Sequence, residues 1–151
     1  MREREIEMEF PEAALELIDR SLQTALEIMF PDLCQDDEFL SLCEESGYKK
    51  HEKKFLEEID FHLKRQILEQ GQANEFLIIL TENQWKLICG IILIIHDAIN
   101  EKLDELCQKF PKEDDDLAAI DNYQLEILIL DYILKELQLH LFGAPSDVYL
   151  M

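Results

Sequence analysis

The stretch that decides the fold is TENQWKLICGIILIIHDAINEKLDELCQKF, which runs from Thr81 to Phe110. Thr81 and Gln84 have the spacing of a capping box, in which each side chain satisfies a free amide at a helix N-terminus. Apolar residues then recur at steps of three and four, which align them on one face of an α-helix. They are Trp85, Ile88, Ile92, Ile95, Ile99, Leu103, Leu106 and Phe110. The pattern predicts one long, buried central helix over 81–110, roughly 40 Å in length.

Other apolar patterns with helical spacing lie on both sides of this central helix. They predict main helices over 12–29, 49–70 and 122–142. Pro31 should end the first of them, because the residue before a proline avoids the helical region. A short helix capped by Asp36 or Asp37 should end at Ser46-Gly47.

The segment Glu75–Leu80 is ambiguous, because six residues of this apolar character can form a buried strand or a short helix. A strand would need a partner, and the other candidate is Leu125–Leu130. The surrounding periodicity favours helix for Leu125–Leu130, so we expect Phe76–Leu80 to be helical as well.

The expected fold is therefore all-α, a single-domain bundle of four main helices plus one or two short helices over residues 1–151. Only four Gly and four Pro are present, which is too few for a fold rich in tight turns. Residues 1–10 are predicted to form a charged N-terminal segment. Residues 144–151 are predicted to form a tail that docks through Tyr149-Leu150-Met151.

The composition is strongly acidic. Asp and Glu number 34 against 14 Lys and Arg, which gives a net charge of −20. Such a chain repels nucleic acids and anionic membrane surfaces, so neither is expected as a direct partner. Repulsion among this many like charges lowers the stability of the folded chain, so the acidic surface needs an explanation beyond solubility. We therefore expect it to bind a basic protein partner.

The remaining general features indicate a cytoplasmic protein. The four cysteines show no disulfide framework, and the charged start lacks the apolar core of a signal peptide. The most apolar run, Leu87–Ile95, has only nine residues and is too short to span a bilayer.

No catalytic signature is present, so we expect neither enzyme activity nor a cofactor. The chain has no Gly-rich phosphate loop and no serine in a nucleophile elbow. Cys89 and His96 are two helical turns apart, which is too far for the histidine to activate the thiol.

Three histidines on different predicted helices suggest an alternative function, a metal-binding bundle. His62, His96 and His140 each lie beside an apolar stripe and near a carboxylate. Two Glu-x-x-His motifs, which mark paired-carboxylate metal bundles, are absent. Histidines at the boundary between core and surface explain the pattern more simply, so we expect no metal site.

The favoured hypothesis is a non-enzymatic, acidic inhibitor of the immunity or nucleic-acid-mimic kind. It would block a basic partner such as a nuclease toxin or a nucleic-acid-binding protein. A third hypothesis is a structural subunit of a larger assembly. In that case the basic island at 49–65 would dock on an acidic neighbour or on another copy of the chain.

Two acidic clusters are candidates for the partner-binding surface. The larger combines the outer face of the long helix with the connector that follows it. Its residues are Glu101, Asp104, Glu105, Glu113, Asp114, Asp115 and Asp116. The smaller consists of Asp32, Asp36, Asp37 and Glu38. We expect the larger cluster to bind, because clustered charges focus the potential more than scattered ones.

Overall fold

The computed structural model describes residues 4–49 and 53–143, and it is mostly helical with a two-stranded antiparallel sheet. The predicted tail at 144–151, including Tyr149-Leu150-Met151, lies outside the described residues. In chain order the elements are β1 (Glu5–Pro11), α1 (Glu12–Thr24), a π-helical turn (Ala25–Met29), α2 (Phe30–Leu33), α3 (Asp37–Glu45), α4 (Lys54–Gln70), β2 (Glu75–Thr81), α5 (Glu82–Gln108) and α6 (Asp114–Phe142). Their buried apolar side chains form one hydrophobic core.

The sheet corrects the prediction for Phe76–Leu80, which is a strand and not a helix. Its partner is not Leu125–Leu130, which is helical as expected, but the N-terminal segment that was predicted only to be charged. In β1 apolar and acidic side chains alternate, so one face is buried and the other carries Glu5, Glu7 and Glu9. Pairing the two strands places their buried residues on one face of the sheet, where they join the core with residues of the helices.

Two hydrogen bonds at the start of β1 hold the ribbon against α5. The indole Nε1 of Trp85 donates to the main-chain oxygen of Ile6 at 2.9 Å. The amide of Glu82 donates to the main-chain oxygen of Arg4 at 2.8 Å. These bonds position β1 on the first turn of α5.

Two glutamines of α4 close the outer edge of β2. The amide group of Gln66 bonds both main-chain groups of Ile79, at 2.7 and 2.8 Å, and Gln70 does the same to Leu77, at 2.8 and 2.7 Å. Residues four apart in a helix and two apart in a strand have nearly the same spacing, about 6 Å, so the two amides replace a third strand. The opposite edge carries the exposed glutamates of β1, whose charges oppose edge-to-edge pairing.

The capping box of α5 is confirmed. Gln84 N–H donates to Thr81 Oγ1 at 3.2 Å, and Thr81 N–H donates to Gln84 Oε1 at 2.9 Å. The long helix forms and its second half is amphipathic, but full burial ends at Ile92, and the later stripe residues Ile95 and Ile99 are only partly buried. Phe110, expected on the buried stripe, lies beyond the helix and is 93% exposed.

Three helix boundaries differ from the predictions, and one of them is the start of α4, which begins at Lys54 instead of 49. The first helix continues past Met29, since the π-helical turn changes the hydrogen-bond register and Pro31 lies in the first turn of α2, where its missing amide is tolerated. The last helix begins at Asp114 instead of 122. There the Glu113 amide donates to Asp116 Oδ2 at 3.0 Å, so the acidic connector supplies the N-terminal cap of α6.

Within the described residues, no helix is long and apolar enough to cross a membrane.

Candidate functional site

The larger predicted cluster lies at the end of the antiparallel hairpin formed by α5 and α6. The buried part of α5 ends at Ile92 and that of α6 begins at Leu130. Between them, over 93–129, every residue is exposed or only partly buried. Residues 97–121 at this end carry nine acidic residues and three lysines. The hairpin therefore presents a strongly negative surface away from the core.

Two of those lysines make contacts within the connection between α5 and α6. Lys109 Nζ lies 2.9 Å from Asp116 Oδ2. Lys112 Nζ donates to the main-chain oxygens of Cys107 and Lys109, at 2.9 and 3.0 Å, and so caps the C-terminus of α5. Both contacts direct the lysine charges towards the connection between the helices.

Asp116 is the predicted site residue with the most contacts inside the fold, and it shares the capping box of α6 with Glu113, whose side chain accepts from the Asp116 amide. The amide of Glu113 and the ammonium of Lys109 lower the pKa of its carboxyl group. Asp116 in turn raises the pKa of Lys109. Because its carboxylate already accepts both donors, Asp116 positions the connection and is removed from the partner-binding set.

The other six predicted carboxylates are exposed and make no ion pair with any residue in the described ranges. Phe110 stands beside them with its ring almost wholly in solvent. We refer to this group as the acidic tip. It comprises Glu101, Asp104, Glu105, Phe110, Glu113, Asp114 and Asp115. An exposed aromatic ring among unpaired charges has the composition of a protein-binding surface, with an apolar anchor and a polar rim.

The smaller acidic cluster is less available. Asp36 is the N-cap of α3, and its Oδ1 accepts from the amides of Glu38 and Phe39 at 2.9 and 3.1 Å. Asp32, Asp37 and Glu38 are exposed. Three carboxylates are therefore available to a partner in the smaller cluster, compared with six at the acidic tip.

The three histidines lie in separate surroundings. His96 Nε2 lies 2.7 Å from Asp131 Oδ1, and its Nδ1 lies 3.2 Å from the side-chain nitrogen of Asn100. His140 Nδ1 lies 2.8 Å from the main-chain oxygen of Glu136, and the His62 ring packs edge-on against Phe61. Among the described residues, no three His, Cys, Asp or Glu side chains are grouped to hold a metal ion.

Several residues of the basic island are engaged within the chain. Lys64 pairs with Asp60, Arg65 pairs with Glu69, and Lys53 lies over the ring of Phe30. The island therefore offers fewer cations for docking than its composition suggests.

A carboxyl pair between α1 and α4 was not found by the sequence analysis. Asp19 and Asp60 are within hydrogen-bonding reach, and each has one buried oxygen without a donor. Asp60 also accepts from Gln23 at 2.9 Å and lies 2.9 Å from Lys64 Nζ. Burial, followed by the hydrogen bond and charge of Asp60, raises the pKa of Asp19 to about 6, against the opposing effect of Lys64. A proton on Asp19 supplies the donor that the two free oxygens need.

This pair predicts a pH-dependent stability that Asp19→Asn should remove. The pKa of Asp19 is higher in the folded chain than the usual 3.8, so folding retains a proton and stability falls as pH rises from about 4 to about 6. At pH 7.5 the variant should be more stable than the parent by about 1 kcal/mol, a value discounted for the partial exposure of Asp19 and the screening by solvent. Urea unfolding at a series of pH values measures this difference.

The matched control is Glu16→Gln, which removes an exposed charge one turn earlier on the same helix. Its stability should follow that of the parent across the pH range. Parallel curves for the parent and Asp19→Asn would contradict a shared proton at this site.

Comparisons of the chain with protein families, curated proteins and solved structures found no match.

Proposed function

We propose that this protein is a non-enzymatic, acidic binding protein that blocks a basic partner. The class of partner is a nuclease toxin or another nucleic-acid-binding protein, whose cationic surface normally receives phosphates. The observation that carries the proposal is the acidic tip, where six exposed carboxylates without ion pairs and the exposed ring of Phe110 occupy the same end of the α5–α6 hairpin.

The carboxylates and the aromatic ring would contribute to binding in different ways. Carboxylates on a rim attract a basic surface over long range and mainly raise the association rate. An aromatic side chain that enters a pocket loses its contact with water and mainly slows dissociation. The two internal lysine contacts favour this arrangement, because they hold the connection in place while the carboxylates stay in solvent.

The test begins with capture of the partner from native extract on the immobilised chain at low salt, followed by a salt step. The kinetics of the purified pair are then compared for the parent and a tip variant with Asp104→Asn, Asp114→Asn and Asp115→Asn. We expect association to slow by about tenfold or more, and affinity to fall as salt rises from roughly 0.05 to 0.5 M. A nucleic-acid duplex should compete with the chain for the partner.

The control variant carries Glu5→Gln, Glu7→Gln and Glu9→Gln. It removes the same number of exposed charges from the sheet edge, so its association rate should stay near that of the parent. Phe110→Ala should instead raise the dissociation rate, again by about tenfold. Equal slowing by the tip and control variants would show that net charge alone attracts the partner and would reject the acidic tip as the binding surface.

A further inference from the structure

Helix α6 carries a second apolar stripe of exposed side chains, one of which, Tyr132, also packs edge-on against Phe10 with 6.3 Å between the ring centroids. Its core-facing residues are Leu130, Ile133, Leu134, Leu137 and Leu141, which are buried. The second stripe extends over roughly 38 Å of the helix. Its residues are Leu117, Leu125, Leu128, Tyr132, Leu139 and Phe142, with exposed fractions from 40% to 66%. An extended row of exposed apolar side chains indicates a surface that another protein covers.

Two charged residues interrupt this stripe symmetrically. Asp121 precedes Leu128 by seven residues, and Lys135 follows it by seven. Seven residues are close to two helical turns, so the three side chains project from the same side of α6. Both charged residues are exposed, and neither makes an ion pair with any residue that the structure describes.

We propose that two copies of this chain dimerise through the exposed stripe, with their α6 helices antiparallel and the twofold axis at Leu128. Asp121 of each copy then faces Lys135 of the other, and the axis repeats this ion pair. Leu117 faces Leu139 in the same register, while Leu128 faces its own symmetry mate. The Leu128 and Leu117–Leu139 layers therefore come into register with the two ion pairs, while Phe142 lies level with Asp114 of the other copy.

The charges of Asp121 and Lys135 favour a second copy of the chain as the partner and an antiparallel orientation of its α6. A parallel pair would place Asp121 opposite Asp121 and Lys135 opposite Lys135, which is repulsive. A basic partner would meet Lys135, the sole Lys or Arg of α6, in the middle of the stripe. A second copy of the chain matches both charges, so it fits this surface better than the partner of the acidic tip does.

The salt dependence separates this dimer from the binding of a basic partner. Two copies that each carry a net charge of −20 repel one another over long range. Raising salt from roughly 0.05 to 0.5 M screens this repulsion and should tighten the dimer. Binding at the acidic tip should weaken over the same range, so either proposal can fail while the other holds.

The test is sedimentation equilibrium of the full chain at about 0.5 M salt, with Asp121→Lys, Lys135→Asp and the double variant. Each single variant places like charges in contact twice and should raise the dissociation constant by about tenfold or more. The double variant exchanges the two charges and should return to within about threefold of the parent. Net charge alone predicts a different order, in which Asp121→Lys dimerises more tightly and Lys135→Asp less tightly.

Leu128→Gln tests whether Leu128 lies at the twofold axis of the dimer. The control is Leu68→Gln, which changes a leucine of α4 that is 82% exposed. The first should lose the dimer, and the second should keep it. Circular dichroism checks that each variant is folded. A parent chain that stays monomeric up to about 1 mM, or single variants that follow net charge, would overturn the proposal. So would a dimer that is unchanged by Leu128→Gln.

Discussion

Replacement of Trp85 by Ala should lower the free energy of unfolding by about 3–5 kcal/mol, the usual cost of removing a large buried aromatic side chain. The Trp85 side chain is fully buried, and its ring centroid lies 6.0 Å from that of Phe10. Its Nε1 donates the hydrogen bond that ties β1 to α5 through Ile6. The variant therefore loses core packing and a contact between the sheet and the central helix.

Urea unfolding followed by circular dichroism measures this effect, since the chain contains only one Trp and the variant has no indole fluorescence. Trp85→Phe keeps an aromatic ring but removes the donor, and it should cost about 1–2 kcal/mol. Phe61→Ala removes a 60% exposed ring of α4 and should change stability by less than about 0.5 kcal/mol. A similar cost for Trp85→Ala and Phe61→Ala would contradict a core organised around Trp85.

Ile92→Ala should cost about 2–5 kcal/mol, whereas Ile95→Ala should cost about 1 kcal/mol. The apolar pattern places both residues on one stripe and predicts the same loss for each. In the structure Ile92 is fully buried, and Ile95, almost one turn later, is only partly buried. The two variants are matched in residue type and helix, so their difference in unfolding free energy locates the end of the core. Equal losses would show that the core continues past Ile92.

The features predicted correctly are those that depend on neighbouring residues. The capping box of α5 and the Asp36 cap of α3 involve side chains and amides two or three residues apart. The apolar periodicity of the long helices is local in the same sense. Such signals predict that a helix forms and, for α3 and α5, where its N-terminus lies, but they do not show which of its turns another element covers. For this reason the burial of Ile99 and Leu103 was overestimated.

The strand Phe76–Leu80 shows where local reasoning fails. Its identity depends on a partner about 70 residues earlier in the chain, where Met8 faces Ile78. The same limit applies to the glutamines of α4, whose pairing with β2 gives no periodic signal. Asp19 and Asp60 lie on two helices, and only the packing of those helices brings their carboxyl groups together.

For the acidic surface, composition and charge pattern alone give the sign, the size and the approximate location of the charge. The tertiary structure decided which carboxylates remain free. Asp116 and Glu113 are three residues apart and both carry a carboxylate, yet Asp116 is partly buried and accepts from Lys109 and the Glu113 amide, whereas Glu113 stays exposed while its side chain accepts from the Asp116 amide. The exposure of Phe110 was decided in the same way, because α5 ends two residues before it. Net charge is a sum over residues, so it can be calculated from the sequence. Whether a given carboxylate is free to bind a partner depends on contacts that form only when the helices pack.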